Sequence, residues 1–300
     1  ISDYIFSIIA IALAIEFTRR TTGWFMPVLI LTSLSYILFL GRYIGGIFSF
    51  PGLSLETVLY RSFFTGEGMF GLTAQISSTF VFMFIIFGAF LLRSGAGDFI
   101  VRLSGCLAGR YVGGAGLVAV VGSGLMGSVS GSAVANTVST GVITIPMMQK
   151  SGFPSQFSAG VVAAASTGGA LMPPVMGAGA FVLASYTQIP YLTIISASAL
   201  PATLYFLTVS YFVRIEAKRL RLSTVQAEDA ERIRDVLKEG WHFTIPMGVL
   251  IFFLVSGRTP TTAAAFAIIS VIASSWISKT PMRLSDIFEA VVDGVRSMVS

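Results

Sequence analysis

The chain has 300 residues, 54% of them hydrophobic and 11% charged, where soluble domains carry about 25% charged residues. With a mean hydropathy of +0.84, these values exclude a water-soluble globular domain, a disordered chain and a nucleic-acid binder, and leave an all-α polytopic membrane protein. The net charge of +5 fits the excess of Lys and Arg in cytoplasmic loops better than a polyanionic partner. A single Cys106 and a single His242 leave no intrachain disulfide and no transition-metal cluster to expect. The sequence opens inside an apolar stretch without Met or a signal peptide, which reads as part of a longer chain.

Apolar segments able to serve as transmembrane helices fall at Ile5–Phe17, Trp24–Leu40, Ile76–Leu92, Tyr191–Val213, Phe243–Val255 and Thr262–Ile277. The polar stretch Arg214–Gly240 holds seven Lys and Arg and is expected in the cytoplasm, as a solvated connector. Alternating outward from it places sixteen Lys and Arg inside, among them Arg93, Arg102, Arg110, Lys150, Arg232, Lys279 and Arg283. Only Arg42, Arg61 and Arg258 remain outside.

Two segments between these spans are apolar yet rich in Gly, Ser, Ala and Thr. Gly114–Gln149 would measure about 54 Å as one helix, too long for a single crossing, so a re-entrant hairpin is expected. Its fold-back lies in Gly127–Thr137 (GSVSGSAVANT), where glycine permits the turn and hydroxyl and amide groups replace lost helical partners. Close helix packing through Gly122, Ser123, Gly124 and Gly127 is the alternative reading. Phe157–Tyr186, about 45 Å as one helix, contains Ser166-Thr167-Gly168-Gly169-Ala170-Leu171-Met172-Pro173-Pro174. Consecutive prolines remove two amide donors and disfavour helix before them, predicting two half-helices around an unwound middle. The freed carbonyls and the Thr167 hydroxyl suit a small hard cation, and the following helix N-terminus suits an anion. A proline kink without ligand is the alternative.

An internal symmetry is also legible. Trp24–Leu40 is followed by Pro51–Tyr60 (PGLSLETVLY), and Thr262–Ile277 by Pro281–Ala290 (PMRLSDIFEA). Both tails read as amphipathic helices capped by Ser54 or Ser285, on opposite sides of the membrane by the charge count, as an inverted repeat requires. Chance resemblance between two interfacial helices is the competing account. A third amphipathic stretch, Gly97–Tyr111, reads either as an arm along the cytoplasmic surface or as an ordinary connector.

The runs Gly127–Pro146 (GSVSGSAVANTVSTGVITIP), Ala163–Gly177 (AAASTGGALMPPVMG) and Ile215–Leu220 (IEAKRL) resemble the fused membrane subunit of the tripartite ATP-independent periplasmic (TRAP) transporters, most closely the TAXI type. Glu16–Arg20 and Gly88–Asp98 carry the same resemblance. It implies an elevator-type, inverted-repeat transporter in the bacterial or archaeal cytoplasmic (inner) membrane. Such a transporter would take up an organic acid, a dicarboxylate or glutamate-like compound, with a sodium gradient, receiving it from a periplasmic TAXI-type solute-binding protein. Residues 1–50 would then belong to small-subunit-like and scaffold helices. Residues 51–240 would form the first repeat, with scaffold helix, arm helix, hairpin 114–149, broken helix 157–186, helix 191–213 and cytoplasmic loop 214–240. Residues 241–300 would begin the second repeat, whose own hairpin lies beyond the sequence.

Carried onto this chain, the resemblance assigns Ser130, Gly131, Ser132, Asn136 and Thr137 to the hairpin-tip half of a sodium and solute site. Thr167, Gly168, Gly169, Pro173 and Pro174 form the facing half. Sodium is the coupling ion and no organic cofactor is implied; membrane lipids surround the chain. Hydroxyls and carbonyls suffice for sodium, and no Asp or Glu falls mid-membrane. An enzyme is disfavoured because Ser130 and Ser132 have no Lys or His in the same buried segments, and His242 beside Trp241 reads as an interfacial anchor. A single-component sodium-coupled carboxylate transporter and an ion channel remain as alternatives.

Overall fold

The computed structural model describes residues 2–222, 233–277 and 281–299, with no side chain described at 299. Arg232 and Lys279, counted above as cytoplasmic, and Glu228, Asp229 and Glu231 of the polar stretch lie outside the described residues. Every regular element among the described residues is helical. The chain divides into two compact units, one up to Ser78 and one over Thr79–Val299.

In the first unit, α1 (Ser2–Thr22) and α2 (Phe25–Leu38) pack on each other. The sequence predicts a shorter apolar core for α1; the helix extends past it because Glu16 pairs with Arg19 at 2.7 Å and Arg20 at 2.9 Å, one turn on. The short α3 (Leu55–Leu59) is capped by Ser54, whose hydroxyl accepts from the Thr57 amide at 3.2 Å, as the sequence predicts. Helix α4 (Leu72–Ile76) opens an apolar helical stretch, Leu72–Ala108.

In the second unit, α5 (Phe82–Leu91) and the amphipathic α6 (Gly97–Ala108) are separated by a bend at Gly95, where φ is +98°. Glycine tolerates that angle and other residues rarely do. Next come α7 (Gly114–Ser130) and α8 (Ala133–Lys150), then α9 (Ser155–Gly169) and α10 (Ala178–Thr187). The long α11 (Tyr191–Arg219) carries on into the basic stretch, and α12 (Ile233–Gly240) follows it. The polar region expected as a connector is therefore helical over much of its described length. Last are α13 (Thr244–Val255), α14 (Pro260–Ser275) and α15 (Leu284–Val299).

Leu72–Ala108 and Tyr191–Arg219 are the two described helical stretches long and apolar enough to cross a bilayer by length and composition. Several shorter apolar helices, among them Phe25–Leu38, Gly114–Ser130 and Pro260–Ser275, accompany them. The core of the second unit lies where α7, α8, α9 and α11 meet, around Ala119, Val120, Met148, Val162 and Val213, all fully buried. Between helices bathed in lipid, close packing of small side chains supplies the contact energy that water supplies elsewhere.

Two expectations are corrected. Ser285 does not cap α15, because the helix begins one residue earlier, at Leu284. Arg283 occupies the cap position, and Asp286, three residues on, reaches back to accept from its amide at 2.9 Å. His242 is not an interfacial anchor: its ring is 4% exposed, whereas Trp241 is 52% exposed.

Candidate functional site

The hairpin forms as the sequence predicts, and its turn is confined to Gly131 and Ser132 between α7 and α8. Gly131 has φ +64°, and a Cβ there would lie 2.4 Å from the Met176 carbonyl oxygen, so glycine is required on both counts. Ser132 caps α8, its hydroxyl accepting from the Ala135 amide at 3.3 Å. The expected break in the second segment is also present. Helix α9 ends at Gly169, α10 starts at Ala178, and the Pro173–Pro174 peptide between them is cis.

These two irregular segments lie against each other. The Val175 amide donates to the Ser128 carbonyl at 3.1 Å, joining the unwound loop to the hairpin. Tyr191 of α11 is buried and its hydroxyl donates to the Val175 carbonyl at 2.5 Å, holding the loop from behind. One turn below, α7 and α9 cross in backbone contact: a Cβ on Gly127 would sit 2.4 Å from the Gly169 Cα, and one on Gly169 would sit 2.7 Å from the Gly127 Cα. The packing reading of the glycines thus holds for this crossing, as it does for Gly124, whose Cβ would lie 2.9 Å from the Phe206 ring.

Asn136 of α8 reaches into the crossing and is fully buried. Its Nδ2 donates to the Ser123 carbonyl at 2.8 Å, and the Ser123 and Thr140 hydroxyls are 3.1 Å apart. Thr140 in turn donates to the Asn136 carbonyl at 2.8 Å. Three buried oxygens near this junction have no hydrogen-bond partner: Asn136 Oδ1, Ser166 Oγ and Ser130 Oγ. Ser166 precedes Gly169 by three residues, on the same buried face of α9. Unpartnered buried oxygens are costly and call for an explanation such as a bound ion or water.

Two expected site residues donate their hydroxyl protons to their own helices. Thr167 is exposed and its hydroxyl donates to the Ala163 carbonyl at 2.9 Å. Thr137 bonds in the same way to Ala133 at 2.8 Å. Gly168 accommodates Tyr205, whose ring carbon would be 2.2 Å from a Cβ there. Ser130, Gly131, Ser132, Asn136, Gly169 and the Pro173–Pro174 loop are gathered at or beside the contact between hairpin and broken helix. Reading the sequence missed Ser166, Ser123 and Thr140. Ser166 stands in the same quoted run, and the signal for it was its i, i+3 spacing from Gly169.

A cavity of about 360 Å³ opens beside the hairpin tip, lined by Ser130, Ser132, Gly88, Arg93 and Asp293 among others. Arg93 is engaged there by Glu289 and, at 3.8 Å, by Asp286 of α15. From Gly114 to Thr187 the sequence has no Asp or Glu, and Lys150 is its single charged residue. The junction therefore offers neutral oxygen ligands. Hydroxyl, amide and carbonyl oxygens of this kind fit an alkali cation, a hard ion that binds oxygen.

The model of the DctM component of the tripartite ATP-independent periplasmic transporters matches residues 9–300. A putative TRAP transporter large permease protein of Haemophilus influenzae is 29% identical over 70% of this chain and 48% of its own length. The C4-dicarboxylate TRAP transporter large permease protein DctM of Rhodobacter capsulatus is 32% identical over 50% of this chain and 31% of its own. The 2,3-diketo-L-gulonate TRAP transporter large permease protein YiaN of Escherichia coli is 29% identical over 61% of this chain and 43% of its own. The chain thus spans half or less of the length of these relatives. With a match that runs through the hairpin, the broken helix and both flanking regions, the chain belongs to the DctM family of TRAP transporter large permease components.

Proposed function

We propose that this chain forms part of a secondary transporter in the cytoplasmic (inner) membrane that takes up a C4-dicarboxylate or related organic acid, coupled to sodium entry and supplied by a periplasmic binding protein of the TAXI type. The observation that carries this reading is the junction of hairpin and broken helix, where Asn136 Oδ1 and Ser166 Oγ lie buried without partners in a segment free of carboxylates. Asn136 and Ser166 would hold the sodium ion, with Ser130, Gly131, Ser132 and the Gly169 to Pro174 backbone supplying further oxygens to ion or solute. A bound sodium ion supplies the positive charge that an acidic solute otherwise lacks here, since Arg93 is already engaged by two carboxylates. C4-dicarboxylates are the solute class in the names of several relatives, and related acids fit the same neutral oxygen set.

The same reading assigns residues 1–50 to small-subunit-like and scaffold helices, 51–240 to the first repeat and 241–300 to the start of an inverted second repeat. The Ser54-capped α3 and the α15 that Asp286 closes at its start, each following an apolar helix, support that pairing. The hairpin and broken helix are expected to move as one block against the scaffold, in an elevator cycle. Uptake into proteoliposomes of the full-length transporter is expected to need both an inward sodium gradient and the binding protein. Uptake without the binding protein points to a single-component carrier, and unsaturable ion current to a channel. A cysteine at Pro173 is expected to react with impermeant reagents from either face according to conformation; reaction from one face under every condition contradicts alternating access.

A further inference from the structure

Where α11 runs into the basic stretch, a cavity of about 270 Å³ opens against the turn between α6 and α7. Tyr111 of that turn and Leu117 of α7 line one side, and Leu207, Ser210, Tyr211 and Arg214 of α11 line the other. Leu207, Tyr211 and Arg214 share one face of α11 by their spacing of four and three residues, and Lys218 continues that face one turn on. Glycine fixes the two sides against each other. A Cβ on Gly113 would lie 2.6 Å from the Ala217 Cβ, and one on Gly116 would lie 2.5 Å from the Val213 Cγ1. With no room to close further, α7 and α11 keep the cavity in shape.

The lining is apolar at its deep end and rich in donors at the other, and no carboxylate lines it. Among the described residues Arg214 and Lys218 have no carboxylate partner, whereas Arg19, Arg93, Arg102 and Arg219 are each paired. Glu216 is engaged by Arg219 at 3.5 Å, and two residues from Arg214 it lies on another side of the helix. Tyr111 and Tyr211 are exposed, so their hydroxyls can donate into the opening. A guanidinium flanked by phenols matches a phosphate, and the two leucines match an apolar chain joined to it.

The position along α11 identifies the source. Tyr191–Val213 holds no charged residue and is long enough to cross the hydrocarbon core. Arg214 is the first charge after it and marks the level of the headgroups. Arg214, Lys218 and Arg219 together make this the basic, cytoplasmic end of the span.

We propose that this cavity binds an anionic phospholipid of the cytoplasmic leaflet, its phosphate held by Arg214 with the Tyr111 and Tyr211 hydroxyls and an acyl chain laid along Leu117 and Leu207. A zwitterionic headgroup would bring its own cation against Arg214 and Lys218, with no carboxylate in the lining to receive it. The bound lipid bridges α11 and the first arm of the hairpin. The proposal rests on the membrane placement alone and not on sodium coupling or on the solute.

The test is native mass spectrometry of the full-length transporter released from nanodiscs of equimolar POPG, POPE and POPC. POPG is expected to be retained about tenfold over POPC and POPE, from two cations at the headgroup level. Arg214→Gln should lower that preference about fivefold. Arg219→Gln, which removes the same charge from the same helix end outside the cavity, should leave it unchanged. The comparison of headgroups on the unaltered protein needs no variant to fold. Equal retention of POPG and POPC overturns the anionic-lipid assignment, and an equal fall in both arginine variants overturns the cavity in favour of general surface charge. Release of POPG by soluble glycerophosphate overturns the lipid source in favour of a free phosphate compound.

Discussion

Asn136→Ala is expected to abolish sodium-coupled uptake while leaving membrane insertion intact. The side chain is fully buried, and its amide adds a second hydrogen bond, at 2.8 Å, to the Ser123 carbonyl of α7. Truncation removes that donor and also removes Oδ1, one of the unpartnered oxygens assigned to the ion. Losing the second hydrogen bond to that helical carbonyl costs about 0.5–1.5 kcal/mol, and losing an ion ligand adds to it, so initial uptake rates should fall at least about tenfold. Thr137→Ala removes a hydroxyl whose proton goes to the Ala133 carbonyl one turn back but whose oxygen lone pairs stay open to an ion, and uptake should fall there too. Initial rates in proteoliposomes, alongside carbonate extraction for insertion, check both. Full uptake by Asn136→Ala would remove Asn136 from the site.

The second large effect is expected at the helix crossing. Gly127→Ala and Gly169→Ala each place a methyl group under 3 Å from backbone atoms of the other helix. Backbone cannot swing aside as a side-chain tip can, so α7 and α9 must separate. Overpacking of this kind costs about 1–3 kcal/mol, sometimes more. Separation also opens the junction at which Ser166 and Asn136 are buried, so the variants should lose thermal stability and transport together. Gly160→Ala and Gly179→Ala have open space at the added Cβ and should be neutral in both assays. A Gly169→Ala protein with wild-type melting and uptake contradicts the close crossing.

What the sequence reveals, and what it hides, follows from the range of each signal. A turn within Gly127–Thr137 and a break around Pro173-Pro174 were legible because glycine and proline act on the backbone locally, although the sequence places the start of the break at Ser166 and α9 in fact runs on to Gly169. The Ser54 cap was legible for a similar reason, whereas the α15 cap position was misplaced by two residues, at Ser285 instead of Arg283. Asp286 rather than Ser285 reaches the Arg283 amide, and periodicity does not resolve helix starts that finely.

Which of two neighbouring hydroxyls faces inward was beyond such signals. Ser166 and Thr167 differ by about 100° around α9, and only the packing of α7 and α8 against that helix decides that Ser166 is buried and Thr167 exposed. Gly168 looked like part of a flexible break, yet its smallness serves Tyr205 on α11, a partner distant in sequence. His242 read as an interfacial anchor because Trp241 stands beside it; in the tight turn Trp241–Phe243 the Trp is exposed and the His buried.

The measurement that tests the central claim most directly is the sodium dependence of uptake in Ser166→Ala. Ser166 Oγ is buried without a partner, so its removal costs no protein hydrogen bond and fold stability should be preserved. The half-saturating sodium concentration is expected to rise about tenfold, the loss of one oxygen ligand to a cation, with the maximal rate regained at high sodium. An unchanged half-saturating concentration, in a variant that still transports, would contradict a sodium site at the junction of the hairpin and the broken helix.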